Sequence, residues 1–303
     1  MKIKPTFSKK ISIDETNINL ISDIDIEKHN IEDFIISERN LLKDYMVKNP
    51  LFAKTLKPYK PYNHSNHYKI SKSNELDENK TKHKPQFETN KSKKLQINKP
   101  EELQTNKSEK FQTNKPEKLQ TNNKKLPKII ELMITAANIA KVGPTATIAG
   151  TISELTLDFL IKTGSKYSIV DNGGDIAFLN NYEKKVIFGI YAGKSPLSGK
   201  IGLEFKPKKK NYPLGICSSS ASVGYSLSYG RSDCVTVIAN QASIADGLAT
   251  SIGNKVNGKL DSAAVENGLN FAEEFEEYFI GALIIVGETI GTIGKVPKIV
   301  ETK

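Results

Sequence analysis

The pair of residues best suited to binding a cation lies near residue 250. Asp246 and Thr250 are four positions apart in the segment 243–254, so on a helix their oxygens face one side, a turn apart. A carboxylate and a hydroxyl suit a hard cation such as Mg²⁺, which often takes one or two carboxylates together with substrate phosphates. The alternative is an aspartate stabilised by the helix dipole, in a helix that Ser243 caps.

Two adjacent glycines flanked by carboxylates form a second candidate site. Gly173 and Gly174 follow an apolar run at 167–170 and lie between Asp171 and Asp175. Glycines at the end of a strand let the backbone approach a ligand closely, and either aspartate would orient that ligand. The same residues are also typical of a hairpin turn, in which the glycines serve only the backbone conformation. The residues by themselves leave both interpretations open.

Two further segments offer hydroxyl and amide groups to an anion. Ser218, Ser219 and Ser220 belong to a glycine-flanked segment, 215–224, whose amides and hydroxyls would cradle phosphates if they converge. That segment lacks the lysine of a P-loop, and an ordinary linker has a similar composition. Ala146 lies among small residues, where a helix start would present free N–H groups to a ligand or pack tightly against another helix.

The sequence argues against catalysis by histidine or cysteine. His29 is the only histidine outside residues 61–127, where the other three have irregular spacing, so a Ser-His-Asp arrangement is excluded. Cys217 and Cys234 have neither the spacing of a zinc site nor the number expected of a disulfide framework. Catalysis would therefore depend on carboxylates, hydroxyls, backbone amides and a bound metal.

The elements that must position these groups alternate loosely between strands and helices. Helical patterns occur at 25–48 (ending at Asn49-Pro50), 127–143 (closed by Gly143), 144–164, 243–254 and 261–278. Strand-like runs occur at 7–22, 167–170, 186–191, 201–205, 234–239 and 282–287. The hairpin-like spacings favour an α+β fold, a layered domain of mixed sheet and helices, over a doubly wound Rossmann sheet.

A long lysine-rich stretch interrupts this pattern. Residues 87–126 contain five imperfect octads, such as LQTNKSEK, with one apolar residue in most of them. A period of eight matches neither a coiled-coil heptad nor a stacking repeat. The few apolar residues cannot offset the conformational entropy that the segment would lose on folding. Residues 61–126 are therefore predicted to be a disordered insertion. A single domain would then consist of an N-terminal part, 1–60, and a main part, 127–303.

The basic charge is concentrated in that insertion. Residues 61–127 carry 15 basic and 8 acidic residues, a net of +7 out of +10 for the chain. Only two of the 44 basic residues are arginines, which read bases bidentately, so we expect no specific nucleic-acid partner. The N-terminal residues lack the apolar core of a signal peptide, and the longest apolar stretch is too short to cross a bilayer. We therefore expect a cytoplasmic protein without a membrane anchor.

In order and spacing, these motifs resemble the uncharacterised cytosolic branch of the ApbE-like superfamily. The segments that carry the resemblance are VGPTATIAG, DNGGDI, YAGKSPLSGKIG, GICSSSASVGYSLSYGRSDCVTVIA and IADGLATSIGN, within residues 127 to about 290. The start FSKKISIDETNINLIS and the helix that ends at Pro50 also fit. The resemblance implies one ApbE-like α+β domain.

The resemblance also implies an activity and a set of ligands. Members of the superfamily cleave FAD and transfer FMN to a Thr or Ser of a target protein, using Mg²⁺. By resemblance, Asp246 and Thr250 would hold the metal, and the turn that contains Gly173, Gly174 and Asp175 would contact the flavin nucleotide. The helix start near Ala146 would lie against the cofactor. FAD or FMN and an acceptor protein are the implied partners, with FMN transfer or FAD hydrolysis as the implied reaction.

One departure from the superfamily pattern concerns catalysis. Transferases carry a His-x-x-Asp-Pro-x-Thr-Gly element after the serine segment, where this chain has YSLSYG at 225–230. The cytosolic branch usually has His and Met where this chain has Tyr225 and Thr145. This departure leaves a non-catalytic nucleotide-binding module as the alternative to an enzyme.

Overall fold

The structure, a computed structural model, describes residues 6–61, 125–182, 184–206, 212–221 and 229–302. The described residues on the two sides of 62–124 form one compact unit. The insertion predicted at 61–126 lies outside the described residues except at its two ends.

The N-terminal segment forms a hairpin followed by a helix. Strands β1 (Phe7–Ile13) and β2 (Thr16–Ser22) pair antiparallel. The helix predicted from residue 25 is instead a 3-10 turn (Ile26–His29) followed by α1 (Ile31–Lys48), because Asn30 between them is left-handed, with φ of 48°. As predicted, α1 ends before Asn49-Pro50, and the short helix α2 (Pro50–Lys54) begins there.

Two central helices follow, with boundaries that differ from the prediction. The prediction that Gly143 closes the first helix is wrong, because α3 (Lys128–Ala140) ends at Lys141, which has a φ of 58°. Gly143 is required for another reason: a Cβ there would be 2.0 Å from the carbonyl oxygen of Thr55. A 3-10 turn (Pro144–Thr147) precedes α4 (Ile148–Lys162).

The remaining elements complete the chain. The strands are β3 (Tyr167–Asn172), β4 (Asp175–Asn180), β5 (Val186–Gly189), β6 (Ile201–Phe205), β7 (Leu214–Ser219), β8 (Cys234–Ala239), β9 (Gly281–Val286), β10 (Thr289–Gly294) and β11 (Lys298–Glu301). Between β8 and β9 lie α5 (Ala242–Gly253), α6 (Asp261–Ala272) and a 3-10 helix (Glu273–Tyr278), where one helix was predicted over 261–278. Sequence periodicity does not predict β4, β7, β10 or β11. Glycine and serine lower the strand propensity of β7, and glycine lowers that of β10, whereas pairing stabilises both strands and burial also stabilises β7.

The strands form two antiparallel sheets. The large sheet has the order β1-β2-β3-β4-β7-β8-β9-β10, and the small sheet has the order β11-β6-β5. On one face of the large sheet, α4 packs on β3 and β4, α5 on β7 and β8, and α6 on β9 and β10. One apolar core lies under the helices and a second lies between the two sheets. This layered arrangement confirms the predicted α+β class.

Side chains along each strand point alternately to the two faces of the large sheet, and this determines which of them face the helices and which face the small sheet. On β7, Cys217 belongs to the core under the helices and Ile216 to the core between the sheets. Asp175 is paired directly opposite Cys217, so its side chain is on the helical side. Ser218 is paired opposite Thr236 and is on the side of the small sheet. Strand ends in the middle of the large sheet therefore supply polar groups to both layers.

Candidate functional site

A cleft of about 1240 Å³ opens where the central strands of the large sheet end. On the helical side its walls are the start of α4, one face of α5 and the turn between β3 and β4. On the other side they are β5 and β6 of the small sheet, and the N-terminal hairpin with α1 forms a third wall. Typical ligand pockets have volumes of about 300–1,000 Å³. The cleft therefore has room for a ligand as large as a dinucleotide.

All ten predicted binding residues line this one cleft, although they come from four separate segments of the chain. They are Ala146, Asp171, Gly173, Gly174, Asp175, Ser218, Ser219, Ser220, Asp246 and Thr250. The fold thus brings the motifs together, while the ligand that each residue contacts stays a prediction.

The turn between β3 and β4 explains the two adjacent glycines. Gly173 and Gly174 have φ of 68° and 102°, and a Cβ at either position would meet nothing within 4 Å. The carboxylate of Asp171 accepts the Gly174 N–H at 2.8 Å and fixes the turn. Positive φ at both central residues is the requirement of a tight two-residue hairpin. The hairpin interpretation therefore accounts for the glycines, which also form part of the cleft wall.

The start of α4 is held against α5 by a carboxylate. The Gly150 N–H is not free for an anion, because it donates to Asp246 Oδ2 at 2.8 Å. A Cβ at Gly150 would be 2.4 Å from the Ala242 carbonyl oxygen and 2.6 Å from the Asp246 Cβ. Gly150 thus serves tight helix packing, whereas Ala146 and Ala149 line the cleft.

One face of α5 carries three polar residues into the cleft. Asp246, Thr250 and Asn254 succeed each other at intervals of four, and all three line it. Asn254 was not predicted, although its spacing from Asp246 was a usable signal. Ser243 does not cap α5 as expected: its hydroxyl and its N–H both donate to Glu154, at 2.6 and 3.0 Å. The carboxylate of Glu154 therefore stabilises the start of α5.

Two carboxyl groups repel each other in the cleft, that of the buried Asp246 and that of the partly buried Asp175. Asp246 is 8% exposed, and burial raises its pKa to about 7, although the bond from the Gly150 N–H opposes this shift. Burial and then repulsion by Asp246 raise the pKa of Asp175 well above its ordinary value. The Oδ1 of Asp175 is buried and has no hydrogen-bond partner among the described residues. Without a cation, the two groups cannot both be ionised readily near neutral pH.

The serine segment is a strand end rather than the loop expected. Ser218 and Ser219 are the last residues of β7, and Ser220 follows them. The Ser218 hydroxyl is hydrogen-bonded to the Thr236 hydroxyl at 2.9 Å, and Thr236 also lines the cleft. All three serines line the cleft at the end of β7. Residues 222–228, which include Tyr225, lie outside the described part of the chain.

The wall contributed by the small sheet is apolar and aromatic. Phe188, Ile190 and Leu203 line the cleft on this side, and Ile216 of the large sheet lies among them. Tyr191, which also lines the cleft, is 67% exposed. A large aromatic side chain that is exposed at the edge of a cleft can gain contact area from a planar ligand group. This half of the cleft is therefore suited to a ring system.

The N-terminal wall depends on one arginine. Arg39, on α1, is buried, and it donates to the hydroxyl of Thr16 and pairs with the carboxylates of Asp14 and Glu15. These bonds attach α1 to the β1–β2 turn, and Arg39, Thr16 and Glu15 line the cleft. Arg39 is one of only two arginines in the sequence, and its role was not predicted.

The cleft offers oxygen donors to a metal ion but no complete protein site. In the described parts of the chain, no group of three or more His, Cys, Asp and Glu residues could hold a metal. Asp246, Thr250 and Asp175 present only oxygen, the donor that Mg²⁺ prefers, and the unpartnered Asp175 Oδ1 is an atom that a cation would satisfy. The donor set fits Mg²⁺ if ligand phosphates supply further oxygens.

No helix among the described residues has both the length and the hydropathy needed to cross a membrane. None of the described residues that line the cleft is a histidine. His29 ends the 3-10 turn before α1 and is not part of the cleft wall.

Comparisons with known proteins agree with the motif order. A family model described as "AbpE bacteria" matches residues 89–288. A UPF0280 protein of Methanothermobacter thermautotrophicus is 37% identical over 97% of this chain and 88% of its own length. A UPF0280 protein of Methanobrevibacter smithii is 49% identical over 59% of this chain and 73% of its own.

Similarity to a solved structure is weaker. The apo form of the flavinyl transferase ApbE from Pseudomonas stutzeri is 17% identical, with a TM-score of 0.33. The similarity covers 51% of this chain and 50% of the other, so it spans about half the length of that transferase. The family model and the relatives that match along nearly the whole length decide the assignment: the chain belongs to the UPF0280 family, a branch of the ApbE-like proteins.

Proposed function

We propose that this protein binds a flavin nucleotide, FAD or FMN, together with Mg²⁺ in the cleft, and that it cleaves the pyrophosphate of FAD. The product FMN group would pass either to a hydroxyl side chain of an acceptor protein or to water. Family membership and the motif resemblance supply the class of ligand, and the chemistry of the cleft supplies the residue roles.

The observation that carries the proposal is the carboxyl pair of Asp175 and Asp246. Both carboxyl groups have raised pKa values, and one oxygen of Asp175 lacks a partner among the described residues. Such a pair is costly unless a cation lies close to it. Bound Mg²⁺ would neutralise the pyrophosphate and stabilise the charge that develops when its bond breaks. Asp246 and Thr250 would hold this ion from one face of α5.

The polar and apolar halves of the cleft match the two chemical halves of a flavin nucleotide. The hydroxyl groups of Ser218, Ser219 and Ser220 would donate to phosphate oxygens, because each can rotate to suit an acceptor. The apolar wall with Phe188 and Tyr191 would receive the isoalloxazine ring. A dinucleotide that occupies both halves needs a large cleft, which agrees with the volume of about 1240 Å³.

Proton transfer would depend on a carboxylate. Because no described residue of the cleft wall is a histidine, Asp175 is the best-placed group to accept the proton of an attacking hydroxyl or water. The lack of histidine among those residues also favours a second candidate function, a nucleotide-binding module without catalysis.

Product analysis separates the two functions. The full chain is incubated with FAD and Mg²⁺, and AMP and FMN are measured by chromatography. We expect both products to accumulate, and we expect EDTA or Asp246→Asn to prevent this. Asp158→Asn is the matched control, because Asp158 is also a partly buried aspartate but lines a separate groove of about 440 Å³.

If FAD binds but is not cleaved, the catalytic function is excluded and the nucleotide-binding module is the function that is supported. A protein that binds none of FAD, FMN and ADP, with or without Mg²⁺, would exclude both functions.

A further inference from the structure

Strand β5 is the outer strand of the small sheet, and in the described residues only one of its edges has a partner strand. That partner is β6, with Phe188 opposite Leu203. Just beyond the strand, the Ile190 N–H donates to the Ile201 carbonyl at 2.9 Å. In an antiparallel pair, successive residues direct their backbone groups alternately to the two edges. Residues 186, 188 and 190 therefore bond to β6, and residues 187, 189 and 191 direct theirs to the open edge.

This open edge is accessible and leads into the cleft. Ile187 is 42% exposed and Tyr191 is 67% exposed. Gly189 is exposed as well, and a Cβ there would meet nothing within 4 Å. Gly189 and Tyr191 line the cleft, whereas Ile187 lies at the far end of β5. A row of unpaired N–H and C=O groups is a template on which another chain can add a strand.

The outer face of the small sheet carries a positive charge near the start of β5. Ile187 is paired opposite Glu204 of β6, and Glu204 is paired in turn with Lys298 of β11. Lys185 lies 3.0 Å from the Glu204 carboxylate, and Lys206 follows the end of β6. Three lysines therefore surround one acidic residue, which leaves an excess of positive charge. An acidic partner complements this surface and a basic partner does not.

We propose that the open edge of β5 docks an extended, acidic segment of a partner protein, which pairs as an additional strand and carries a hydroxyl side chain into the cleft. The inference rests on the proposed function, in which this hydroxyl is the FMN acceptor. Its oxygen would bond to the flavin-side phosphorus of FAD as the pyrophosphate bond breaks. AMP would leave with the bonding electrons, and the hydroxyl proton would pass to a carboxylate of the cleft.

Strand pairing would give both affinity and position to the acceptor. Backbone hydrogen bonds bind an added strand independently of most of its sequence, and alternate side chains supply the specificity. An added strand lies about 4.8 Å from its neighbour. Paired residues have their side chains on the same face, so the partner residue opposite Phe188, which packs in the core between the sheets and lines the cleft, would direct its side chain to the cleft side.

The test uses synthetic ten-residue peptides and the full chain. One peptide alternates Val with Asp around a central Thr, a second has Lys in place of Asp, and a third is the Asp peptide with alternate amides N-methylated. Amide hydrogen exchange is measured with each. We expect the Asp peptide to protect the amides of residues 187, 189 and 191, and the other two peptides to give no protection. Protection that is absent at these amides, or equal with the Lys peptide, would overturn the docking surface.

Two variants of Ile187 distinguish the contribution of its backbone N–H to peptide binding from that of its side chain. Ile187→Pro removes an N–H that faces the open edge and leaves the bonds to β6 intact, whereas Ile187→Val keeps that N–H. We expect the Asp peptide to bind Ile187→Pro at least about tenfold more weakly, a factor that corresponds to roughly one lost hydrogen bond. Equal affinity for the two variants, or a dimer through β5 that the peptide does not displace, contradicts the inference.

FAD titrations on the same samples distinguish this inference from the function on which it rests. Ile187→Pro should bind FAD as the unmodified chain does, because Ile187 is not part of the cleft wall. Normal FAD binding without peptide protection overturns only the docking surface. Peptide protection at β5 without FAD binding overturns the proposed function and leaves a peptide-binding edge.

Discussion

Replacing Asp246 by Asn is expected to stabilise the metal-free protein at neutral pH. The carboxylate of Asp246 is buried, and it raises the pKa of Asp175 by repulsion. Asn removes the charge and keeps a carbonyl oxygen that can accept the Gly150 N–H, now 2.8 Å from Asp246 Oδ2. The variant therefore loses an electrostatic cost without losing the contact that joins α4 and α5.

The size of the effect follows from the pKa of Asp246, which burial raises from 3.8 to about 7. A raised carboxyl pKa means that the folded state binds the proton more tightly than the unfolded state. Between these two pKa values the folded protein holds more protons, so its stability falls as the pH rises, and the loss is complete above about pH 7. Three pKa units correspond to about 4 kcal/mol. Coupling to Asp175 makes this an upper limit, and we expect a gain of roughly 2–4 kcal/mol.

The assay is urea unfolding of the full chain in EDTA at a series of pH values between 4 and 8. For the unmodified protein, the free energy of unfolding should decline from pH 4 to 7. For Asp246→Asn the decline should be smaller, and the two curves should approach each other towards pH 4, which is close to the unfolded pKa of 3.8. Adding Mg²⁺ and FAD at pH 8 should stabilise the unmodified protein and have less effect on Asp246→Asn.

Asp158→Asn provides the matched control for this experiment. Burial also raises the pKa of Asp158, although Lys162 and Lys128 oppose the shift. This variant should alter the dependence on pH and keep the full stabilisation by Mg²⁺ and FAD. If Asp246→Asn were less stable than the unmodified protein at pH 8 in EDTA, the reasoning about the carboxyl pair would be refuted.

Three further predictions concern backbone geometry and the insertion. Gly174→Ala should lower the free energy of unfolding in urea by about 1–2 kcal/mol, because φ is 102° at this position. Gly173→Asn should lower it much less, because asparagine tolerates the φ of 68° found there. Gly150→Ala should lower the melting temperature and weaken Mg²⁺-dependent FAD binding, because its methyl group would displace Asp246. Replacing residues 62–124 by a short Gly-Ser linker should preserve one cooperative unfolding transition; separate transitions would contradict the assignment of a single domain.

Apolar periodicity in the sequence was sufficient to predict most helices and the α+β class. Runs such as 234–239 and 282–287 are continuous because both faces of the large sheet are covered, so strands β8 and β9 are buried throughout. Strands β7 and β10 could not be predicted in the same way. The glycines of both strands and the serines of β7 have low strand propensity, and contacts with elements that are distant in the sequence stabilise these strands.

The motifs predicted the composition of the cleft better than its electrostatics. Asp246 and Thr250 could be predicted from helical spacing, and one more step of four would have added Asn254. The repulsion between Asp175 and Asp246 depends on burial by elements that are distant in sequence, so no local pattern reveals it. The role of Arg39 likewise depends on the contact between α1 and the β1–β2 turn.

The hairpin at the N-terminus has a kinetic consequence for the cleft. Its strand β2 pairs with β3, and the bond from the Asn17 N–H to Asn172 joins residues 155 positions apart. During synthesis, this wall can form only after residue 172 has left the ribosome, so the pairing adds to the contact order that slows folding. The free-energy cost of closing a loop grows only with the logarithm of its length. Residues 62–124 therefore add about 0.5 kcal/mol to the cost of pairing β2 with β3. An insertion at this point of the chain thus lengthens the loop greatly while changing the free energy of its closure very little.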